Sequence, residues 1–302
     1  MRAFLAEGLC KIGKLFENVV VLTGDVAKPT CTYLFQEKYP NRFFNLGIGE
    51  QDIIGVAAGL ALSGDIPIVA LFASFLMRAW EQIRNTVSRA NLNVKLIGTH
   101  AGLTAAADGA SHQALEDIAL MRVLPKMTII VPGDPQETIE AIEAMVRIKG
   151  PTYLRIGKDE TTKLFEGEGV FKIGRAVTLK DGRDVALIST GTITSEALKA
   201  AKCSEVDASV IHVPTIKPLD RDAIISAAKS CGIIICIEEH STMGGLGGAI
   251  AELLSSEYPV PIIRIGVQDS FGESGSYYEL LRKFGLTAEN IRLVMKEAIK
   301  RK

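Results

Sequence analysis

Glu50 heads an apolar run in Asn45-Leu46-Gly47-Ile48-Gly49-Glu50-Gln51, and a carboxylate so placed has two readings. It is a helix-start residue, because an anion near the positive end of the helix macrodipole is favoured. Or it is a proton-handling group that faces a ligand from a desolvated seat. The run that follows, Ile53 to Leu62, carries no charged residue, so its helix is expected to be covered by protein. A second constellation runs from His100 to His112, where two of the four histidines of the chain bracket Asp108 in a Gly- and Ala-rich loop. Small residues let a backbone approach a ligand closely, and histidines there can hold an anion or relay protons. The plainer reading is a surface loop with a turn at Asp108-Gly109. A third segment, Phe72-Ala-Ser-Phe75-Leu-Met-Arg78, puts two aromatic rings and a guanidinium on neighbouring turns. Such rings either stack on a flat heterocycle or fill a core, and Arg78 can reach into the same cleft.

No further His, Cys or carboxylate falls at ligand spacing, so no metal is expected on this chain alone. Gly244-Gly245-Leu246-Gly247-Gly248 looks like a dinucleotide loop but lacks the leading strand and the later acidic residue, which favours close packing at a helix end. The five cysteines form no C-x-x-C pair and read as small apolar residues of a reduced protein. A formal net charge of -1 without a basic stripe argues against nucleic acid as a partner. No signal peptide is visible, and no run reaches the ~18 apolar residues of a membrane span. A cytoplasmic chain with no membrane partner is expected.

These residues must be positioned by an alternation of strands and helices. Asn18 to Leu22, Ile66 to Phe72, Val94 to Ile97 and Met127 to Val131 are strand-like, and Arg2 to Phe16, Gly55 to Leu62, Trp80 to Arg89, Leu115 to Val123 and Pro135 to Ile148 are helical. That order predicts an α/β fold with a parallel sheet covered on both faces, in which ligands sit beyond the carboxyl ends of the strands. The loops after Leu22, Phe72 and Ile97 lie there. Asp159 to Lys163 and Glu166 to Gly169 read as a linker. A second βα series follows through Val185 to Ser189, Ser209 to Val213, Gly232 to Glu238 and Val260 to Ile265. The expected organisation is two doubly wound domains, 1–165 and a smaller 170–302.

In this order the segments resemble the C-terminal half of transketolase over nearly the whole chain. Five motifs carry the likeness: Gly24-Asp25 after the first strand, Gly47 to Gln51, Phe72 to Gln82, Asp108-Gly109-Ala110-Ser111-His112-Gln113, and Leu124-Pro125 leading to Val131-Pro132. The resemblance implies a pyrimidine-binding domain followed by a transketolase-type C-terminal domain, and thiamine diphosphate chemistry. It implies a transferase of pentose phosphate-type carbohydrate metabolism that moves a two-carbon ketol unit from a ketose, often a phosphate, to an aldose. Glu50 matches the glutamate that bonds the pyrimidine ring nitrogen and promotes proton removal from the thiazolium. Phe75, together with Phe72, would stack on the aminopyrimidine, Asp25 would lie on the thiazolium side, and Arg78 would face the same cleft. His100 and His112 match catalytic and substrate-binding histidines, and Asp108 the residue that reads a substrate hydroxyl. Lys158 stands where the family has a phosphate-binding arginine, with Arg155 nearby. Lysine binds phosphate as a point charge without a bidentate fork, so phosphate recognition is expected to be weakened or shared with Arg155 and Arg78, which leaves a non-phosphorylated or differently charged sugar open. Ala107 stands where an acidic residue often precedes Asp108.

The family holds the diphosphate and its Mg²⁺ with an N-terminal Gly-Asp-Gly…Asn signature that has no counterpart here. The resemblance therefore implies one chain of a split transketolase. An N-terminal subunit would bring the diphosphate-Mg²⁺ site, with two copies of each chain in a heterotetramer and the apolar helix after Glu50 at the interface. Three other readings remain open at this point. One is an enzyme like 1-deoxyxylulose-5-phosphate synthase, similar at Phe75 to Gln82. Another is a 2-oxo acid dehydrogenase β-subunit, whose family lacks the Asp108 to Gln113 segment. The third is a non-catalytic regulatory subunit.

Overall fold

The computed structural model describes residues 1–158, 163–165, 167 and 169–300. The linker residues 159–162, 166 and 168 lie outside them. The first sheet has seven strands: β1 (Val19–Thr23), β2 (Phe43–Asn45), β3 (Ile66–Phe72), β4 (Lys95–Thr99), β5 (Thr128–Ile130), β6 (Thr152–Arg155) and one contributed from later in the chain. Val19–Thr23 and Lys95–Thr99 are buried along their whole length, as strands covered on both faces must be. On one face the helices Arg2–Leu15 and Pro135–Arg147 bury Leu5, Leu9, Ile12, Ile142 and Met145. They pack closely at Gly8, where a Cβ would overlap Ile142. Asp134 starts the second helix by accepting the Glu137 N–H at 2.9 Å, and Pro135 takes the first helical position, where its missing N–H costs nothing. Glu50–Leu62 covers the other face through Ile53, Ile54, Ala57 and Ala58.

The strand order places β1 between β2 and β3, so the connections leaving β1 and β3 go to opposite faces. Such a switch point opens a crevice at the carboxyl end of the sheet. The second sheet has five strands: β7 (Val177–Lys180), β8 (Val185–Ser189), β9 (Ala208–His212), β11 (Ile234–Ser241) and β12 (Ile262–Val267). All are parallel except β7, which runs antiparallel along β9. Its own switch point lies between β8 and β11.

The halves are not independent. β10 (Thr215–Lys217) leaves the second half and joins the edge of the first sheet antiparallel to β5. The described residues around the expected linker are tied down. Leu164 and Phe165 donate backbone N–H bonds to Asp134 at 2.9 and 3.2 Å, and Gly169 and Phe171 donate to Glu140 at 2.7 and 2.9 Å. Asp134 and Glu140 thus hold Leu164, Phe165, Gly169 and Phe171 against one helix.

Candidate active site

At the first switch point a cleft of about 420 Å³ opens, with Gly24, Asp25, Ile48, Glu50, Phe75 and Arg78 in its lining. Asn45, at the end of β2, builds one wall. Its Oδ1 accepts the N–H of Asp25 at 2.9 Å and of Gly47 at 3.2 Å, while its amide nitrogen donates to Asp25 Oδ1 at 3.3 Å. Asp25 lies in the left-handed region with φ 62°, a conformation that a non-glycine residue keeps only where its surroundings impose it. Glu50 opens its helix with its side chain 12% exposed, and Arg78 Nε stands 3.9 Å from its carboxylate.

Behind this wall the aromatic and histidine constellations merge. Phe72 stacks on Phe75 with centroids 4.9 Å apart and on His100 at 3.7 Å, and His112 meets Phe75 edge-on at 5.5 Å. Phe75 lines the cleft and is only half-buried, whereas Phe72 is buried as the layer behind it. The expectation that Phe72 stacks directly on a ligand is therefore corrected. Its two faces are taken by Phe75 and His100, so it supports the ring that faces the cleft.

His100 is buried at φ 55°, with Nδ1 2.9 Å from Thr99 Oγ1. Burial pulls its pKa down to about 3, aided by the Arg2 and Lys158 charges and opposed by Asp108. The ring is thus neutral at ordinary pH, at the edge of a charged group of side chains. Lys158 Nζ pairs with Asp108 Oδ2 at 3.1 Å. Arg2, at the start of the first helix, donates to Lys158 O at 2.8 Å and to Pro29 O at 2.9 Å. Nothing in the sequence singles out Arg2, which reaches this place only because its helix packs beside the end of β6.

Arg155 is a second correction. Its guanidinium is almost wholly buried, pairs with Asp117 at 2.8 Å, and donates to the carbonyls of Ala114 and Glu239 at 3.2 and 2.9 Å. Burial works against its charge, but Asp117, Tyr153 and Glu239 outweigh it and raise its pKa. Through Nε and Nη2 it joins the two halves, and its burial beside Asp117 speaks against the phosphate role expected of it. Sequence reading also passed over Asp117 and Glu239, since isolated carboxylates carry no local signal of burial.

A strand does lead into the Gly-rich run, since β11 ends at Ser241 just before it, but the run is a packed helix end all the same. Glu238 accepts the N–H groups of Leu246 and Gly247 at 2.7 and 2.9 Å. Its carboxylate fills the anion seat at the start of Leu246–Glu257, and a Cβ at Gly245 would overlap it. Among the described residues no group of three His, Cys, Asp or Glu could hold a metal ion, and no helix is long and apolar enough to cross a membrane. No disulfide joins any of the five cysteines.

Comparison with known proteins agrees with this geometry. The profile of the transketolase pyrimidine-binding domain matches residues 1–163, and that of the transketolase C-terminal domain matches 174–291. A putative transketolase C-terminal section of Methanocaldococcus jannaschii is 42% identical over 308 residues, 100% of this chain and 96% of its own length. A 6-deoxy-6-sulfo-D-fructose transketolase subunit of a Clostridium species is 36% identical over 95% of this chain and 90% of its own. A solved structure described as a split gene transketolase, inactive beta4 tetramer, has a TM-score of 0.90 at 40% identity, covering 99% of this chain and 97% of that one.

Proposed function

Since the chain belongs to the transketolase family, we propose that it is the C-terminal subunit of a two-chain, thiamine diphosphate-dependent transketolase. The observation that carries the proposal is the cleft at the first switch point, where a carboxylate at a helix start faces an aromatic ring seated on a buried stack. Those residues fit the flat aminopyrimidine end of the cofactor. Glu50 would bond its ring nitrogen and share the proton there, Phe75 would stack on its face, and Asp25 and Arg78 would flank it. For the other end, the family's Gly-Asp-Gly…Asn signature has no counterpart in this sequence. The diphosphate and its ion are assigned to the N-terminal subunit. When bound, the cofactor supplies the electron sink on which a two-carbon ketol unit is carried.

This chain's residues then bind and orient the sugar. Asp108 reads a hydroxyl, and His100 and His112 border the reacting end, with His100 as a neutral ring. Arg2 and Lys158 form a cationic end for the anionic terminus of a substrate. A relative named for a sulfonated sugar supports an anionic substrate without fixing the group, phosphate or sulfonate.

The helix Glu50–Leu62 supplies the assembly argument. Its outward stripe, Asp52, Gly55, Gly59 and Leu62, is exposed, and a Cβ at Gly55 or Gly59 would meet nothing within 4 Å. Ile48 and Leu62, 82% and 75% exposed, extend this apolar surface beside the cleft. A face of this kind, rimmed by the site it would close, suits another subunit. We assign it to the N-terminal subunit, in a heterotetramer with two copies of each chain.

The test is calorimetric titration of thiamine diphosphate with Mg²⁺ into this chain alone and into its mixture with the N-terminal subunit. Binding and ketol transfer are expected only in the mixture, with Glu50→Ala lowering turnover by about 10²–10⁴. Tight Mg²⁺-dependent binding to the lone chain, or a loss under about threefold in Glu50→Ala, overturns the assignment.

A further inference from the structure

Residues of the C-terminal half hold the substrate-end loop at three points. Glu239, late in β11, accepts the N–H groups of Leu103 and Thr104 at 2.6 and 3.1 Å, and its second oxygen accepts the Tyr277 hydroxyl at 2.7 Å. Ser274 donates its hydroxyl to Ala107 O at 2.7 Å. The Gln113 side-chain amide donates to Glu273 O at 2.9 Å and to Ala106 O at 3.2 Å. Within the loop so held, Ala106 at φ 51° keeps a conformation that a non-glycine residue adopts only where its surroundings impose it. Contact is close on the supporting side too: a Cβ at Gly102 would overlap Glu239, and one at Gly272 would overlap the Gln113 amide. Tyr277 opens a helix whose start is fixed by a capping box between Ser276 and Glu279, two residues after Ser274.

We propose that Glu239, Gln113 and the Gly272–Ser274 loop are positioning residues for sugar recognition, through which the C-terminal domain fixes Asp108 against the cleft. The proposal rests on the assignment of the cleft to ketol transfer. Its physical content is a separation of roles. The cofactor cleft is built by residues between 24 and 78, whereas the three contacts converge on 103–113. Of this loop His112 alone packs on a cleft ring, edge-on to Phe75; loosening the three contacts chiefly moves Asp108, while Asn45, Asp25 and Glu50 keep the cofactor seat.

The experiment uses the two-chain enzyme carrying Ser274→Ala or Gly272→Ala, with Ser274→Thr as the conservative replacement. Amide hydrogen exchange over 103–113 is expected to quicken about tenfold, reporting local opening. KM for the sugar is expected to rise about fivefold with kcat changed by less than about twofold, thiamine diphosphate affinity unchanged, and Ser274→Thr close to the parent. Unchanged exchange overturns the proposal, and so does a parallel loss of cofactor affinity, which would mark ordinary domain packing. If the parent complex transfers no ketol unit, the functional assignment fails. Exchange alone then decides whether the loop is held from the C-terminal domain.

Discussion

Lys158 and Arg155 were expected to share one task, and at the scale of single residues the structure separates them. Lys158 lies beside Asp108 and Arg2, within a group that can accept an anion, while Arg155 is spent on Asp117 and two carbonyls. Lys158→Ala is expected to raise KM for phosphorylated sugars several-fold more than for free ones; equal effects would remove Lys158 from phosphate recognition. His100 gives a pH prediction. Its folded pKa of about 3 lies below the ordinary 6.5, so between those values the unfolded chain takes up a proton that the folded chain refuses. The stability this residue contributes is complete above about pH 6.5 and is lost as pH falls toward 3. The melting temperature should drop across that interval, and His100→Gln, which takes up no proton, should drop less steeply. Identical slopes would contradict the buried neutral ring.

Single elements explain why a cleft exists here. β1 ends where neighbouring connections part, and Asn45 ties the turn after β1 to the turn after β2, so the helix that begins at Glu50 points its first carboxylate at the gap. The same helix departs from the expectation of full burial. Ile53, Ile54, Ala57 and Ala58 face the sheet, and the opposite stripe stays open because no element among the described residues covers it. Gly59→Arg should leave the lone chain folded, since arginine favours a helix over glycine by ~0.8 kcal/mol and the site has room. It should abolish assembly with the N-terminal subunit in sedimentation velocity. Assembly at parental affinity would move the interface elsewhere.

For the whole molecule, the second sheet meets the first at the residues that shape the substrate end. Arg155, Asp117, Tyr153 and Glu239 form a buried polar network there, with Tyr153 donating its hydroxyl to Asp117 at 2.6 Å. Removing the cation from such a pair leaves an uncompensated buried carboxylate. Arg155→Ala is therefore expected to destabilise the chain by about 3–5 kcal/mol, read as a fall in denaturation midpoint. The ratio of KM values for phosphorylated and free sugars should not change. A selective change in that ratio with stability intact would return Arg155 to the substrate.

The amino-acid sequence by itself determined the α/β alternation, because strands buried on both faces must be continuous runs such as Val19–Thr23 and helices must show one apolar stripe. It also singled out Glu50, Phe75 and the segment from Asp108 to His112 as candidates, because their signals lie within a few turns of one another. Tertiary structure alone decided that β10 completes the first sheet, that Phe72 stands behind Phe75, and that Arg2 joins Lys158 while Arg155 leaves it. It likewise decided that Glu239 and Ser274 reach across to the loop after β4. The physical reason is range. Periodicity and capping record interactions between residues close in the chain, whereas Arg2 and Lys158 are 156 positions apart and Ser274 and Ala107 are 167. Only the packing of helices against a shared sheet brings such pairs within hydrogen-bonding distance.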